Sequence, residues 1–188
     1  MSNILFSILI PTVPWRSKKL KELLKQLDPQ VSHAKHVELL VLRDNRIMSI
    51  GEKRNKLRSL AHGRYVAFVD DDDMVTDDYV ASIVSEIPAG ADVINFSVRV
   101  EGHGPPKLCR YGLTLQHADL SSEYHRKPNH IMAWKRELAV SVPFPDLRHG
   151  EDTLWAEEIA KRAVSERTIS RVLYTYRFDR DDNSATPR

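Results

Sequence analysis

The chain has 188 residues, of which 41% are hydrophobic and 29% are charged, so it can bury a core and is neither a disordered nor a fibrous protein. Its formal net charge of +2 suits an anionic ligand but is too small for the dense basic surface typical of nucleic-acid-binding proteins. A single cysteine excludes intrachain disulfides and cysteine-rich zinc sites, and no apolar run is long enough to span a membrane, so we expect one soluble, cytoplasmic domain.

The first half of the chain predicts three strands that alternate with two helices. Continuous apolar runs indicate the strands, and leucines at helical spacing indicate amphipathic helices. The strands are expected at residues 4–10, 37–42 and 65–69, and the helices at residues 16–27 and 49–62. Pro29 should end the first helix and Gly63 the second. This order predicts an α/β fold with a Rossmann-like, mostly parallel central sheet flanked by helices.

The second half of the chain predicts smaller elements and a small antiparallel portion of the sheet. In chain order we expect a helix at 76–87, a strand at 92–100, a turn at 102–106, a strand at 107–115, a short strand at 131–134, a helical turn at 135–140, a helix at 150–164 and a strand at 169–178. Thr76 should cap the first of these helices. Residues 116–129 are polar and lack periodicity, which predicts a loop.

Four consecutive aspartates, Asp70 to Asp73, directly follow the third predicted strand. An acidic run of this kind is often only a solvated loop. At the carboxyl end of a buried strand in an α/β protein, however, side chains point into the crevice where ligands bind, and Pro11-Thr12 and Asp44 end the other two strands at the same edge. Carboxylates spaced as Asp-x-Asp suit Mg²⁺ or Mn²⁺ that carries a phosphate ester, so we expect such a site here.

The order of short motifs along the chain resembles that of the family 2 glycosyltransferases of the GT-A fold. The motifs are ILIPT, LRDN, GEKRN followed by AHGRY and the aspartates, GEDTLW, and YTYR followed by Asn183-Ser184. The resemblance covers nearly the whole chain. It implies transfer of a sugar from a nucleotide diphosphate donor, usually with inversion and with help from a divalent cation.

The resemblance also implies roles for individual residues. Thr12 and Asp44 would hold uracil, Arg54 the base or a neighbouring phosphate, Asp71 the ribose, Asp72 the metal, and Asp152 would be the general base. A segment after the last strand, with Tyr176, Arg177 and Ser184, would touch the diphosphate. We add the neighbouring residues Pro11 and Asp70 for the nucleotide sugar, Asp70 for the metal, Glu151 for catalysis, and His130 and Trp155 on the acceptor side.

Several of these residues also have an ordinary structural interpretation. Glu151 and Asp152 begin a predicted helix, where acids stabilise the helix N-terminus, although a carboxylate there can equally accept a proton from an attacking hydroxyl. Asp44 could form a local turn, Arg54 could be an exposed helix cation, and His130 could be a hydrogen-bonded core histidine.

The sequence therefore predicts a metal-dependent, inverting glycosyltransferase that uses Mn²⁺ or Mg²⁺ and a UDP-sugar. Residues 1–100 would bind the donor, and residues 101–188 would carry the base and bind a hydroxyl acceptor on a glycan, lipid, protein or modified nucleic acid. The alternatives are an Asp-x-Asp metal-dependent phosphatase and a non-catalytic nucleotide-sugar-binding module.

Overall fold

The computed structural model describes residues 3–102 and 104–177. In this part of the chain, ten strands form one sheet and five α-helices pack against it. The strands are β1 (Phe6–Thr12), β2 (Val37–Arg43), β3 (Tyr65–Phe68), β4 (Met74–Val75), β5 (Val93–Gly102), β6 (Gly104–Tyr111), β7 (Ala118–Asp119), β8 (Glu123–Arg126), β9 (Ala133–Lys135) and β10 (Glu166–Arg177). The helices are α1 (Ser17–Ser32), α2 (Ile50–Leu60), α3 (Tyr79–Glu86), α4 (Arg136–Ser141) and α5 (Glu151–Ala160).

The first three strands form the parallel part of the sheet. β1 lies between β2 and β3 and runs parallel to both. All seven residues of β1 are buried, as the continuous apolar run predicts for a strand covered on both faces. The parallel register places Thr12 beside Arg43 at one end of the sheet, where β3 also ends. The three strand ends therefore meet at one edge, as predicted.

The second half of the sheet is built around β5. This strand pairs antiparallel with β6 and β9 and parallel with β10, while β9 joins it to β3. Near its end β10 also pairs antiparallel with β4, which brings Tyr174 beside Val75. The predicted α/β class, with a parallel core and antiparallel strands in the second half, is confirmed.

The prediction that the first helix ends at Pro29 is wrong, because α1 continues to Ser32. A proline inside a helix removes one backbone hydrogen bond and crowds the preceding turn, which usually ends or kinks the helix. Here the turn beyond it is anchored from outside: the side chain of Gln30 donates to the carbonyl of Thr76 at 2.9 Å and accepts the amide of Val80 at 2.9 Å. These two contacts stabilise the last turn against α3.

The predicted roles of Thr76 and Gly63 are also wrong. Residues 74–75 form β4, and α3 begins only at Tyr79. The Thr76 hydroxyl donates to Asp78 and does not cap the helix. α2 ends at Leu60, before Gly63. A Cβ on Gly63 would lie 2.5 Å from the hydroxyl oxygen of Ser7, so the glycine permits close packing against β1.

The predicted loop at 116–129 contains two short strands, β7 and β8. β8 runs parallel to β6, and Arg110 pairs with Glu123 across this contact at 2.7 Å. Such polar cross-strand pairs leave no hydrophobic alternation in the sequence, which is why the pattern predicted a loop. In the described residues no helix has the length and apolar character needed to cross a bilayer.

Candidate functional site

The carboxyl ends of β1, β2 and β3 are joined by side-chain contacts. The hydroxyl of Thr12, at the end of β1, donates to Asp71 at 2.5 Å. Lys53, from α2, donates to the carbonyl of Thr12 at 2.8 Å and forms an ion pair with Asp44 beyond β2. Pro11 lies buried in β1 next to this junction. The structure thus brings together the three strand ends that the sequence predicted to converge.

Asp44 serves this junction as a local structural group. Burial raises the pKa of a carboxyl, but the contacts with Lys53 and with the backbone amide of Met48 hold the pKa of Asp44 below its usual value. The Met48 amide donates to one carboxylate oxygen at 2.8 Å, and Lys53 pairs with the other. Nearby, the guanidinium of Arg46 lies 4.8 Å from the ring centroid of the half-exposed Trp15. Both oxygens of Asp44 are therefore engaged by the protein.

Two of the four adjacent aspartates, Asp71 and Asp73, are almost completely buried, each with 2% of its surface exposed. Asp71 accepts from Thr12 and, at 2.8 Å, from Arg16. Asp73 accepts from the hydroxyl of Tyr174 at 2.6 Å and from the amide of Arg177 at 2.8 Å. Burial raises the pKa of both carboxyls, and Asp70 raises the pKa of Asp73 further. Asp71 therefore joins the aspartate run to β1, and Asp73 joins it to β10.

The other two aspartates, Asp70 and Asp72, keep about a quarter of their side chains exposed, 24% and 23%. Asp70 is nevertheless bonded on both oxygens, to Arg54 at 3.0 Å and to His130 at 3.1 Å. Asp72 has an ion pair with Arg16 at 3.1 Å. Burial and the charges of Asp70 and Asp71 raise the pKa of Asp72, Arg16 partly offsets this increase, and the resulting pKa is about 6. Of the two partly exposed aspartates, Asp72 is therefore the one whose negative charge the protein stabilises less.

The donor set fits a divalent cation that arrives together with a phosphate ligand. No group of three His, Cys, Asp or Glu side chains in the described part of the chain is arranged to hold a metal by itself. Mg²⁺ and Mn²⁺ commonly bind through one or two carboxylates and take their remaining ligands from phosphate and water. Asp72 meets that requirement, whereas Asp70, predicted as a second ligand, is already bonded on both oxygens.

Arg54 is not an exposed helix cation but a buried group with 4% of its surface accessible. Its Nη2 donates to Asp70 at 3.0 Å and its Nε to Glu151 at 3.1 Å. Burial lowers the pKa of a guanidinium, but Asp70, Glu151 and Asp152 raise the pKa of Arg54 above its usual value. The guanidinium thus joins the aspartate that follows β3 to the start of α5. Because it is almost completely buried between two carboxylates, its position does not favour contact with a nucleotide base.

Asp152 and Glu151 have different environments although they are adjacent. Gly150 has a left-handed conformation, with φ of 80°, and the chain turns there into α5. Glu151 is buried against Arg54, whereas Asp152 is 36% exposed and accepts the amide of Thr153 at 2.8 Å. Of the two predicted catalytic carboxylates, only Asp152 can be reached by a ligand.

His130 connects Asp152 to the aspartate run. Its Nε2 lies 3.1 Å from a carboxylate oxygen of Asp70, and its Nδ1 lies 3.6 Å from a carboxylate oxygen of Asp152. The ring is 4% exposed, so it is a buried spacer and not a group on the open acceptor side. The predicted metal region and the predicted base therefore lie on opposite sides of one imidazole.

Trp155, also predicted on the acceptor side, lies in the core instead. Its indole stacks on Phe144 with 4.5 Å between ring centroids, and its Nε1 donates to the carbonyl of Val142 at 2.8 Å. Only 1% of its surface is exposed, so it has no access to a ligand. Ser184, predicted to touch the diphosphate, lies outside the described residues.

A cavity of about 630 Å³ opens beside Asp152. We call it the acceptor-side cavity, because it lies in the predicted acceptor half; its walls come from β5, β6, β8, α5 and the end of β10 and include Lys107, Tyr124, Lys127, Asp152, Thr153 and Tyr176. Burial and the charges of Asp73, Asp70, Asp72 and Asp152 raise the pKa of Tyr176 to about 12. Tyr176 lines the cavity and precedes Arg177, whose amide donates to Asp73, so the end of β10 adjoins both the cavity and the aspartates.

Sequence analysis missed three residues of the site: Arg16, Lys53 and Tyr174. Arg16 stands in a basic stretch that looks like the solvated face of a helix, and Lys53 precedes Arg54 in the same lysine- and arginine-rich segment. Tyr174 is one of two tyrosines in the last strand, and only the pairing of β10 with β4 brings it to Asp73. No local pattern distinguishes these three from ordinary surface or core residues.

Comparison with known proteins links the chain to one family and one fold. The sequence model of glycosyl transferase family 2 matches residues 16–185. The structure resembles S. aureus TarS 1–349 in complex with UDP-GlcNAc, with a TM-score of 0.71 and 19% sequence identity, over 98% of this chain and 62% of the TarS chain. For TarS 1–349 in complex with UDP, the TM-score is 0.68 and the identity 19%, over 95% of this chain and 62% of that chain.

A197 from STIV has a TM-score of 0.57 and 14% identity, over 94% of this chain and 87% of that chain. At these low identities the structural likeness establishes the fold, and the chain spans only about 62% of the TarS chain with which it aligns. No curated protein sequence matches the chain. The GT-A fold that the motifs predict is confirmed.

Proposed function

Since the chain belongs to glycosyl transferase family 2, we propose that it transfers a sugar from a UDP-sugar to a hydroxyl acceptor, with inversion and with the help of Mn²⁺ or Mg²⁺. The observation that carries the proposal is the arrangement around His130. An accessible carboxylate, Asp152, lies 3.6 Å from one nitrogen of its ring, and Asp70 of the aspartate run is hydrogen-bonded to the other nitrogen. Transfer of this kind needs a base on one side of the reacting carbon and charge stabilisation on the other.

The donor would lie along the ends of β1, β2 and β3. TarS, which shares the fold, has been solved in complex with UDP-GlcNAc and with UDP, and this supports a uridine nucleotide as donor. Thr12 and Asp44 face this edge, with Trp15 and Arg46 beside them. Because protein donors already engage both oxygens of Asp44, a uracil N3 proton would share that carboxylate with Lys53 or Met48.

The diphosphate would lie near Asp72. When bound there, Mg²⁺ or Mn²⁺ offsets the negative charge that develops on the departing diphosphate. Asp72 would hold the ion, Arg16 would remain within reach of its carboxylate, and Asp70 would stay fixed by Arg54 and His130. In this arrangement Asp72 would bind the ion, while the neighbouring carboxylate of Asp70 stays in a fixed position.

Asp152 would remove the proton of the attacking hydroxyl. As the hydroxyl oxygen bonds to the anomeric carbon, the bond from that carbon to the diphosphate oxygen breaks, and the hydroxyl proton moves to the Asp152 carboxylate. Attack from the face opposite the leaving group inverts the anomeric centre. Glu151 is buried against Arg54, so its proposed role is to position the start of α5.

The alternative of an aspartate-nucleophile phosphatase is less well supported. The first aspartate of the Asp-x-Asp pair would have to attack phosphorus, but both oxygens of Asp70 are engaged by Arg54 and His130. A nucleophile needs an oxygen that can approach its target. The geometry of Asp70 therefore favours a structural role.

A screen of nucleotide sugars with Mn²⁺ tests the proposed reaction. We expect one UDP-sugar to raise the midpoint of thermal unfolding and to be hydrolysed slowly to UDP, because binding to the folded state alone stabilises it. Nucleotide sugars with other bases and p-nitrophenyl phosphate serve as comparisons. Phosphate release from p-nitrophenyl phosphate without any effect of nucleotide sugars would contradict the proposal and support the phosphatase.

A further inference from the structure

The wall of the acceptor-side cavity contains basic residues as well as the carboxylates of Asp152 and Glu157. Lys107 and Lys127 both line it. The Lys107 ammonium donates to the carbonyl of Leu120 at 3.2 Å, and the Lys127 ammonium donates to the carbonyl of Leu113. Among residues 3–102 and 104–177, neither lysine forms an ion pair with a carboxylate. The cavity therefore contains two cations that are held in place by neutral acceptors.

Their backbone contacts do not use the full capacity of these lysines. An ammonium group has three donors, and the contact with a carbonyl uses one. The third cation of the cavity, Arg126, differs because it pairs with Asp119 at 2.5 Å. Both Lys107 and Arg126 lie about 5 Å from the ring of Tyr124, at 4.9 and 5.2 Å, so the tyrosine helps to hold the basic wall in place.

The same cavity reaches the proposed base. Asp152 and Thr153 form part of its wall, whereas none of the four aspartates that follow β3 does. An acceptor in the cavity would thus present its hydroxyl to Asp152 without occupying the donor site. The carboxylates of Asp152 and Glu157 repel an anionic acceptor, and the two lysines in the same cavity offset that repulsion.

We propose that the acceptor-side cavity selects an acceptor that carries an anionic group, a phosphate or a carboxylate, close to the hydroxyl that is glycosylated. The anionic group would contact Lys107 and Lys127, and the hydroxyl would face Asp152. This inference rests on the proposed transfer reaction, in which the hydroxyl proton moves to Asp152 as the new glycosidic bond forms. A neutral acceptor of the same shape would leave both ammonium groups without an anionic partner.

Matched pairs of small hydroxyl compounds test the selection without any donor. Glycerol is compared with glycerol 3-phosphate, and glucose with glucose 6-phosphate and with glucuronate, by calorimetric titration of the full chain. We expect the anionic member of a pair to bind at least about tenfold more tightly, and its advantage to shrink as NaCl is added, because salt screens the lysine charges. The phosphate and carboxylate arms show which anion the cavity prefers.

Charge-removing variants locate the effect. Lys107→Gln and Lys127→Gln should each weaken binding of the anionic member about fivefold and leave the neutral member unchanged, the size expected for one charge contact near water. Lys107→Arg keeps the charge and should keep the preference, which separates charge from any loss of the contact with Leu120. Lys161→Gln, an exposed lysine that pairs with Glu158 at 3.2 Å, is the matched control and should have no effect.

Equal binding of anionic and neutral members, no binding of any anionic probe, or an undiminished preference in both Gln variants would overturn the inference. Those outcomes leave the proposed reaction standing if a UDP-sugar is still bound and hydrolysed. Conversely, the protein could bind anions through Lys107 and Lys127 but bind no nucleotide sugar. That result would contradict the transferase proposal and support the anion site alone.

Discussion

The donor end of the site and the acceptor-side cavity differ in how their charged side chains are paired. At the donor end, each carboxylate of the aspartate run meets a protein donor, and Arg16, Lys53 and Arg54 supply most of the positive charge. In the acceptor-side cavity, Lys107 and Lys127 donate to backbone carbonyls, and Lys107 also lies over the ring of Tyr124. Groups that are paired inside the protein fix its geometry, whereas lysines that form no ion pair are available to a ligand.

The two ends meet at Asp152. This residue lies in the wall of the cavity, and it is also 3.6 Å from the ring of His130, which is hydrogen-bonded to Asp70. A change at this junction should affect the reaction itself, while a change deep in either end should affect stability or binding. The predictions below follow that distinction.

The largest effect is expected from Asp152→Asn. An amide cannot accept the hydroxyl proton, so transfer should fall by about 10² to 10⁴ while binding of UDP and Mn²⁺ stays nearly intact. Turnover is measured with the donor and acceptor found by screening, and binding by calorimetry. Glu158→Gln, on the same helix but paired with Lys161 and Arg162 at the surface, should keep full turnover. A variant at 152 that keeps most of its turnover would remove Asp152 as the base.

The next largest effect is expected when the ion pairs of Arg54 with Asp70 and Glu151 are broken. Arg54→Met leaves the partly buried carboxylate of Asp70 and the buried carboxylate of Glu151 without their shared cation, which should lower the free energy of unfolding by about 3 to 5 kcal/mol. Unfolding in urea provides the measurement. Arg167→Met breaks a surface pair with Glu86 and should cost no more than about 1 kcal/mol. Similar losses from both substitutions would show that the donor end is not held by this buried network.

The destabilisation by Arg54→Met should depend on pH. Burial would raise the pKa of Asp70, but Arg54 and His130 hold it well below its usual value of 3.8. A carboxyl whose pKa is lowered on folding contributes stability above its unfolded pKa and loses that contribution as pH falls through the folded pKa. The gap between wild type and variant should therefore be full at neutral pH and narrow in acid; a gap that widens in acid would contradict this pairing.

A smaller effect is expected when Asp72 is changed. Wild type should be stabilised little by Mn²⁺ alone but by about 2.7 kcal/mol when Mn²⁺ and UDP are present at about 100 times the dissociation constant. Asp72→Asn should abolish this joint effect. Asp73→Asn should leave most of it, because Asp73 is bonded to Tyr174 and to the Arg177 amide. Tight binding of Mn²⁺ without nucleotide would show that a complete metal site already exists.

The smallest effect concerns the base of the donor. Neutral cytosine lacks the N3 proton that Asp44 would accept, so UDP should bind more tightly than CDP by about 1 to 3 kcal/mol. Competition titrations in the presence of Mn²⁺ compare the two nucleotides. Because Lys53 and Met48 already engage Asp44, equal affinities would assign this carboxylate wholly to the junction between β1 and β2.

Sequence alone determined the arrangement of the donor half. Long apolar runs predicted β1 and β3. The alternation of strands and helices predicted that these strands are parallel, because a helix between two strands returns the chain to the same edge of the sheet. The aspartate run therefore fell at the correct edge of the sheet. The motifs then singled out Thr12, Asp72 and Asp152, which the structure places at the donor edge and beside the cavity.

Only the tertiary structure decided which charges are buried and which are accessible. The four aspartates look alike in sequence, yet a turn closed by the Asp73 amide and the Asp70 carbonyl separates Asp71 and Asp73 from the two that keep some exposure. Their partners come from distant positions: Thr12 and Asp71 are 59 positions apart, and Asp73 and Tyr174 are 101 positions apart.

The same holds for Arg54 and for the cavity. Arg54 pairs with Glu151 across 97 residues, and Lys107 and Lys127 are brought to one wall by the pairing of β6 with β8. The periodicity of a short segment records which of its faces is apolar, but it carries no record of the partner that a polar side chain will meet after folding. Burial and charge pairing in this site were therefore set by long-range packing.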